Sequence, residues 1–339
     1  MSFNVGFIGT GWIAEKMAQT LIPMADEGVF LAAVGSRDLK KAEEFVGNAF
    51  MHSDNTQIAG GTHKCVPYGS YEELAADETL DLIYVATPHS HHYEHAKLCM
   101  EKGRNVLVEK SFTVNARQAR ELIELANEKK LLLAEAIWTR YMPSRFALEK
   151  MLASGIIGEI KSLECNLGYN NIHAERMYLP ELAGGALLDL GVYTINFALM
   201  NFGTEIESIE SSADIYKTGT DLHNNITINF KSGKRAELYA SLDEFTDRKG
   251  IIRGDGGYIE VENINNPEWI RTHIDGAKTV QFDVPPQITG LEYQVRSCRK
   301  AIENGEIECP EMPHAEIIRV MEIMDGLRKN WGVTYPMDN

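Results

Sequence analysis

The order of apolar and polar positions divides the chain into two parts. Up to about residue 135, short apolar runs alternate with stretches of helical period, the pattern of βαβ units built on a parallel sheet. The strands expected there are Val5–Ile8, Phe30–Val34, a weak Lys64–Val66, Leu82–Ala86, Asn105–Val108 and Leu131–Ala134. Ser70 and Asn115 stand three residues before Glu73 and Gln118, so each reads as a helix cap. Gly47–Thr62 is polar and aperiodic, which predicts a long surface loop inserted between the second helix and the third strand.

After Pro143 the pattern changes. A helix over Ser144–Ala153 leads to a strand at Glu159–Leu167, and another helix begins near Gly185. Ile206–Tyr216, Asn225–Phe230, Ala236–Leu242, Gly250–Arg253, Tyr258–Val261, Ile270–His273 and Thr279–Phe282 then follow as β-rich segments separated by turn residues. No helical pattern lies between them, so they predict a mostly antiparallel, open sheet. Helices over Leu291–Asn304 and Ala315–Asn330 close the chain.

Length and charge narrow the function classes. A chain of 339 residues fits about two domains. Its 33 Lys+Arg against 49 Asp+Glu give a net charge of -16, which repels nucleic-acid backbones and anionic membrane surfaces alike. No apolar run approaches the ~18 residues of a membrane span, and no basic-then-apolar leader opens the chain. The five cysteines are scattered without a C-x-x-C pair, which argues against a disulfide framework or cysteine zinc site and for a reducing cytoplasm.

Gly9-Thr10-Gly11-Trp12-Ile13-Ala14 follows the first strand and opens a helix. In a G-x-G-x-x-A turn the first glycine makes the bend and the second lets backbone approach a pyrophosphate. The third small residue lets the helix pack on the strand, and the helix N-terminus offers N–H donors to the phosphates. This predicts a Rossmann domain, a doubly wound parallel sheet, over residues 1–137. Residues 138–339 would form an α+β domain for substrate and oligomerisation, its last helices able to pack back on the first domain.

The residue ending the second strand reads the adenosine ribose. Ser36 and Arg37 there suit the 2′-phosphate of NADP, whereas Asp38 would suit the ribose hydroxyl of NAD and leave Arg37 in solvent. Thr87-Pro88-His89-Ser90-His91-His92 and then His95 follow the fourth strand, at the edge where a Rossmann ligand lies. His91 and His95 could share a helix face, but no carboxylate or cysteine in the neighbourhood completes a clear ligand set, so no metal is expected; the histidines line a cofactor or substrate, or lie on the surface. The fifth strand ends at Glu109-Lys110, where the amine can lower the pKa of a catalytic hydroxyl. In Gly184-Gly185-Ala-Leu-Leu-Asp189-Leu-Gly191-Val-Tyr193, the i,i+4 spacing puts Asp189 and Tyr193 on one helix face. Tyr193 is either a packed amphipathic ring or the group that takes the carbinol proton as hydride leaves.

With these motifs the chain resembles the glucose–fructose oxidoreductase / inositol dehydrogenase family (Gfo/Idh/MocA) over nearly its whole length. The glycine motif, Thr87-Pro88 with His92, Glu109-Lys110, and Gly184-Gly185 with Asp189-x-Gly191-x-Tyr193 carry the likeness. Glu135-Ala-Ile-Trp138-Thr-Arg140-Tyr141 and the tail from Met312-Pro313 to Tyr335-Pro336 look most like dimeric dihydrodiol dehydrogenases and NADP-linked D-xylose dehydrogenases. The resemblance implies Lys110 and Tyr193 as the catalytic pair with Asp189 near the substrate, and Trp138 and Arg140 at the nicotinamide end. It also implies NADP with NAD as the alternative, a sugar or cyclic trans-diol substrate, and a homodimer through the C-terminal sheet. The family also holds members that bind NAD(P) without turnover, so a sensor is the rival reading. Ser111 departs from the family's Glu-Lys-Pro.

Overall fold

The computed structural model describes residues 2–51 and 64–338. Its contacts separate two compact units, 1–138 with 287–318 and 139–286 with 319–339. The chain therefore leaves the first unit after Trp138, returns to it for 287–318, and ends in the second.

The first unit is built on strands β1 (Phe3–Ile8), β2 (Val29–Gly35), β3 (Val66–Tyr68), β4 (Leu82–Val85), β5 (Val106–Glu109) and β6 (Leu133–Ala136), in the order β3-β2-β1-β4-β5-β6. Every pairing is parallel. Every residue of β4, β5 and β6 is buried, as continuous apolar strands covered on both faces require. Strand order reverses beside β1, and the crevice at the carboxyl ends of such a reversal is where a ligand binds.

The helices of this unit are α1 (Trp12–Leu21), α2 (Leu39–Phe50), α3 (Tyr71–Ala75), α4 (His92–Glu101) and α5 (Ala116–Lys129). Ser70 caps α3 by accepting from Glu73 N–H, and Asn115 caps α5 by accepting from Gln118 N–H, as the sequence pattern predicts. The predicted loop 47–62 is corrected at its start: α2 runs through Phe50 because Ala42 and Phe45 bury one face and carry the helical period onward. The rest of that expectation lies outside the described residues.

The second unit opens with α6 (Pro143–Ala153), β7 (Ile160–Gly168) and a short α7 (Glu175–Tyr178), then a π turn over Leu187–Gly191 that continues into α8 (Val192–Phe202). The sheet adds β8 (Ile206–Ile215), β9 (Asp221–Phe230), β10 (Arg235–Ser241), β11 (Gly250–Gly254), β12 (Gly257–Val261), β13 (Trp269–Ile274) and β14 (Val280–Asp283), ordered β14-β13-β12-β11-β7-β10-β9-β8. Only β7 with β10 is parallel, so the sheet is mostly antiparallel as expected. Its inner face is the core side, with Leu163, Ile226, Ile228, Ala236, Leu238, Ile252 and Ile259 buried. Helices α9 (Glu292–Asn304) and α10 (His314–Trp331) complete the chain.

One expectation from hydropathy needs correction. The stretch Pro180–Phe202 is long and apolar enough to cross a membrane by composition, yet 94% of its most apolar window is buried inside the protein. It is apolar on all sides because it is a core segment of the second unit.

Candidate active site

At the carboxyl edge of the parallel sheet, Gly9 adopts φ 105° and its N–H donates to Gly35 O at 3.1 Å. A Cβ on Gly9 would stand 2.8 Å from Ala86 O, so only glycine lets the ends of β1, β2 and β4 meet. Gly11 precedes α1 with extended backbone and no side-chain cap, and a Cβ there would meet nothing within 4 Å. Thr10 and Ile13 are half-buried, while Trp12 is 66% exposed. Open space over uncapped N–H donors fits a pyrophosphate. At the end of β2, Ser36 is buried and Arg37 exposed. Asp38 caps α2, its carboxylate accepting from Lys40 N–H at 3.0 Å. The carboxylate that would have read an NAD ribose therefore already has a structural task.

The ends of β4 and β5 are joined by His92. Its buried ring lies between Thr87 O and Ser111 O, each 2.8 Å from a ring nitrogen. A neutral imidazole donates to only one of them. The two carbonyls favour the cation, but full burial, aided by the Lys110 charge, outweighs them and holds the pKa down at about 4. His95 is likewise lowered to about 4, chiefly by burial and then by the charges of His91, His92 and Arg37. His95 also bonds the Thr87 hydroxyl at 3.0 Å. Among the described residues no group of His, Cys, Asp and Glu is arranged to hold a metal ion.

Glu109 is the last residue of β5 at this edge. Its buried carboxylate accepts from the Tyr84 hydroxyl and from Lys110 N–H, tying the backbone of the lysine to the core. Phe112 N–H donates to Glu135, and the Lys110–Ser111 peptide is cis despite the absent proline. Lys110 is half-buried at the same sheet edge, beside half-buried Thr87 and Pro88. Trp138, half-buried, is the last residue of the first unit's opening segment.

In the second unit, Asp189 lies in the π turn and Tyr193 one turn later in α8; both are buried. Asp189 accepts from Arg176 at 3.2 Å, an ion pair whose arginine is 47% exposed. Arg140 is fully buried, its Nε donating to Asn196 Oδ1 at 2.5 Å, one turn after Tyr193 on α8. The structure thus gathers two sets. Gly9 to Ile13, Ser36, Arg37, Thr87, Pro88, His92 and Lys110 share the edge of the parallel sheet; Asp189, Tyr193 and Arg140 share one buried helix region. Sequence reasoning missed Arg176, because nothing in its own neighbourhood distinguishes it from a solvated arginine.

A glycine cradle at the switch point of a parallel sheet, joined in sequence to an antiparallel-sheet unit that buries a tyrosine and an aspartate on one helix, defines a dinucleotide-dependent oxidoreductase. Residues 3–136 match the model of the oxidoreductase family with an NAD-binding Rossmann fold, and residues 147–260 match the GFO/IDH/MocA C-terminal domain. The chain belongs to the GFO/IDH/MocA family and is an NAD(P)-dependent oxidoreductase. It is 32% identical to a D-xylose 1-dehydrogenase (NADP(+)) of Hypocrea jecorina, covering 98% of this chain and 92% of the relative. It is 31% identical to a trans-1,2-dihydrobenzene-1,2-diol dehydrogenase of Danio rerio, with both chains covered in full. Among solved structures, a 3-ketoreductase from Actinomadura kijaniata in complex with NADP and TDP-benzene superposes with TM-score 0.84 over 99% of each chain at 23% identity, a likeness of fold.

Proposed function

We propose that this protein transfers a hydride between NADP and a secondary carbinol of a sugar or cyclic trans-diol, with Tyr193 as general acid/base and Lys110 assisting it. The observation that carries the reading is the buried helix face that holds Tyr193 one turn after Asp189, with Asp189 fixed by Arg176. A carbinol losing hydride must lose its hydroxyl proton, and a tyrosinate held in a buried, oriented position can take it and become the neutral phenol. A neighbouring carboxylate supplies the acceptor that orients a polyol substrate. The nicotinamide, when bound, supplies the hydride acceptor. Lys110 contributes positive charge that favours the tyrosinate. NADP over NAD is supported by Ser36 and Arg37 at the end of β2 and by the engagement of Asp38 as a helix cap. Full-length relatives named for D-xylose and for a trans-dihydrodiol support the substrate class.

The test is kcat on folded, NADP-saturated Tyr193→Phe with D-xylose and a trans-diol as substrates. Loss of a general acid/base lowers turnover roughly 10²–10⁴-fold, with NADP affinity unchanged. Near-normal turnover removes Tyr193 from the chemistry.

The reading extends to assembly as a homodimer through the outer face of the antiparallel sheet. That face carries Tyr258 stacked on His273, Arg253 over Tyr258, and Arg271 over Trp269. Aromatic and arginine side chains of this kind are enriched at interfaces. Sedimentation at micromolar concentration should give twice the 37.9 kDa chain mass; a monomer alone would reject the dimer, since an interface of about 800 Å² per partner persists there. Five buried cysteines, all outside any disulfide, support a reducing, cytoplasmic setting.

A further inference from the structure

The helix that bears Asp189 and Tyr193 begins at a joint made by parts of the chain far apart in sequence. Gly184 and Gly185 form the turn. Gly185 N–H donates to Met177 O at 2.8 Å, and a Cβ on Gly184 would come within 2.7 Å of the Met177 carbonyl. Gly185 has φ 129°, and a Cβ there would stand 2.3 Å from Asp221 Oδ1 and 3.2 Å from the Tyr335 hydroxyl. Three elements therefore close on these glycines: α7, the start of β9 and the C-terminal tail.

Two polar contacts fix the joint. Leu187 N–H belongs to the first turn of the helix and has no intrahelical partner by geometry. It donates instead to Asp221 Oδ2 at 2.7 Å, which also accepts from Asn224 at 2.9 Å. The Tyr335 hydroxyl donates to Gly184 O at 2.6 Å. The tail that presents Tyr335 is itself clamped: Arg328 donates to Asp338 at 2.8 Å and to Asp325 at 2.9 Å, Asp338 accepts from Tyr335 N–H at 2.8 Å, and the guanidinium lies 4.7 Å from the Tyr335 ring centroid. Asp221 is fully buried, and its Oδ1 has no hydrogen-bond partner among the described residues. A carboxylate kept there at such desolvation cost, when an apolar residue would fill the volume, is explained by the donor it holds.

We propose that Asp221 and Tyr335 are positioning residues, which set the start of the helix carrying Asp189 and Tyr193 and thereby aim both side chains at the substrate. The proposal rests on the role given above to Tyr193. It assigns a task in turnover to the tail that presents Tyr335, whose hydroxyl donates to the turn before the helix.

The experiment uses the full-length protein saturated with NADP, and compares Asp221→Ala, Asp221→Asn, Tyr335→Phe and Tyr193→Phe. Asparagine keeps an acceptor for Leu187 N–H, so Asp221→Asn should hold kcat within about threefold. Asp221→Ala should lower kcat roughly 10–100-fold, as displacements of about 1 Å at a reacting group do, with NADP affinity unchanged. Tyr335→Phe should fall between the two. Amide exchange across residues 185–193 should rise in Asp221→Ala and Tyr335→Phe. Wild-type kcat and exchange in Tyr335→Phe and in a folded Asp221→Ala overturn the proposal. So does equal loss of kcat in the Asn and Ala variants. If Asp221→Ala does not fold, Tyr335→Phe decides by the same two readouts. Normal turnover in Tyr193→Phe alone would instead count against the acid/base reading, while the exchange data still judge the joint.

Discussion

The two units hold their site residues by different means. At the edge of the parallel sheet, the residues come from the ends of adjacent strands and are tied to one another there: Gly9 N–H to Gly35 O, and His92 between Thr87 O and Ser111 O. The pairings follow from strand order and from a short glycine motif, so the site is assembled wherever the sheet is. Around Asp189 and Tyr193 the supports come from elsewhere. Arg176 lies 13 residues from Asp189, Asp221 lies 34 residues from Leu187, and Tyr335 lies 151 residues from Gly184. The first arrangement makes a binding edge that tolerates change in distant loops. The second makes the helix proposed to handle the proton dependent on a chain-wide joint, so on that proposal distant substitutions should reach turnover before they reach cofactor affinity.

The comparison breaks most sharply at the end of β2, where Ser36 and Arg37 are proposed to read the ribose. If cofactor recognition is local to that edge, Arg37→Ala should weaken NADP by about 2–5 kcal/mol, the range for a lost charge-assisted interfacial pair, and leave NAD nearly unchanged. Arg37 is exposed, so its removal should not alter the unfolding midpoint of the free protein by more than about 0.5 kcal/mol in stability. Titration of both cofactors against the parent and the variant decides it. Equal affinities of the parent for NAD and NADP would show that Ser36 and Arg37 do not read the ribose.

The same contrast explains what the sequence made legible. Strands declare themselves by short apolar runs, and the expected ones appear with ends that coincide or differ by at most four residues, β3 and β6 each being displaced two residues toward the C-terminus. The glycine motif and the caps at Ser70 and Asn115 were readable because their physics lies within a few residues. Helix α2 ran past the point where polarity suggested a loop, since Ala42 and Phe45 anchor it from one face. That the Glu109 carboxylate accepts from the Tyr84 hydroxyl, 25 residues earlier, was not legible in the strand-end motif. Asp189 and Tyr193 were found from their spacing, whereas Arg176 and Asp221 have no local pattern, and Tyr335 stood out only as part of a tail motif; what each bonds exists only in the fold. The apolar character of Pro180–Phe202 likewise reflects burial from every side, which a search for an unbroken hydrophobic run does not register.

The two units should also part company in acid, with opposite signs. His92 is fully buried in the first unit, with its pKa lowered from 6.5 to about 4. Between those values the unfolded chain binds the extra proton, so the stability due to neutral His92 is present above pH 6.5 and lost as pH falls toward 4. The shift corresponds to about 3 kcal/mol, and His95, lowered to about 4 but partly exposed, adds a smaller screened increment of the same sign. Asp221 in the second unit is raised from 3.8 to about 6 by burial, against the bonds from Asn224 and Leu187 and the Arg328 charge. Here the folded state binds the extra proton, so stability due to this group is lost as pH rises from 3.8 to 6, again by about 3 kcal/mol. Amide exchange corrected for intrinsic rates, followed at pH 7 and pH 4.5, should therefore show β4 and β5 losing protection on acidification by more than α8. His92→Asn should flatten the loss in β4 and β5, because its amide can still meet a carbonyl without titrating. Asp221→Asn should remove the relative protection of α8 at pH 4.5 and leave the first unit unchanged. Parallel loss of protection in both units, unaffected by either substitution, would mean that acid acts on the molecule as a whole and that neither buried group sets its response.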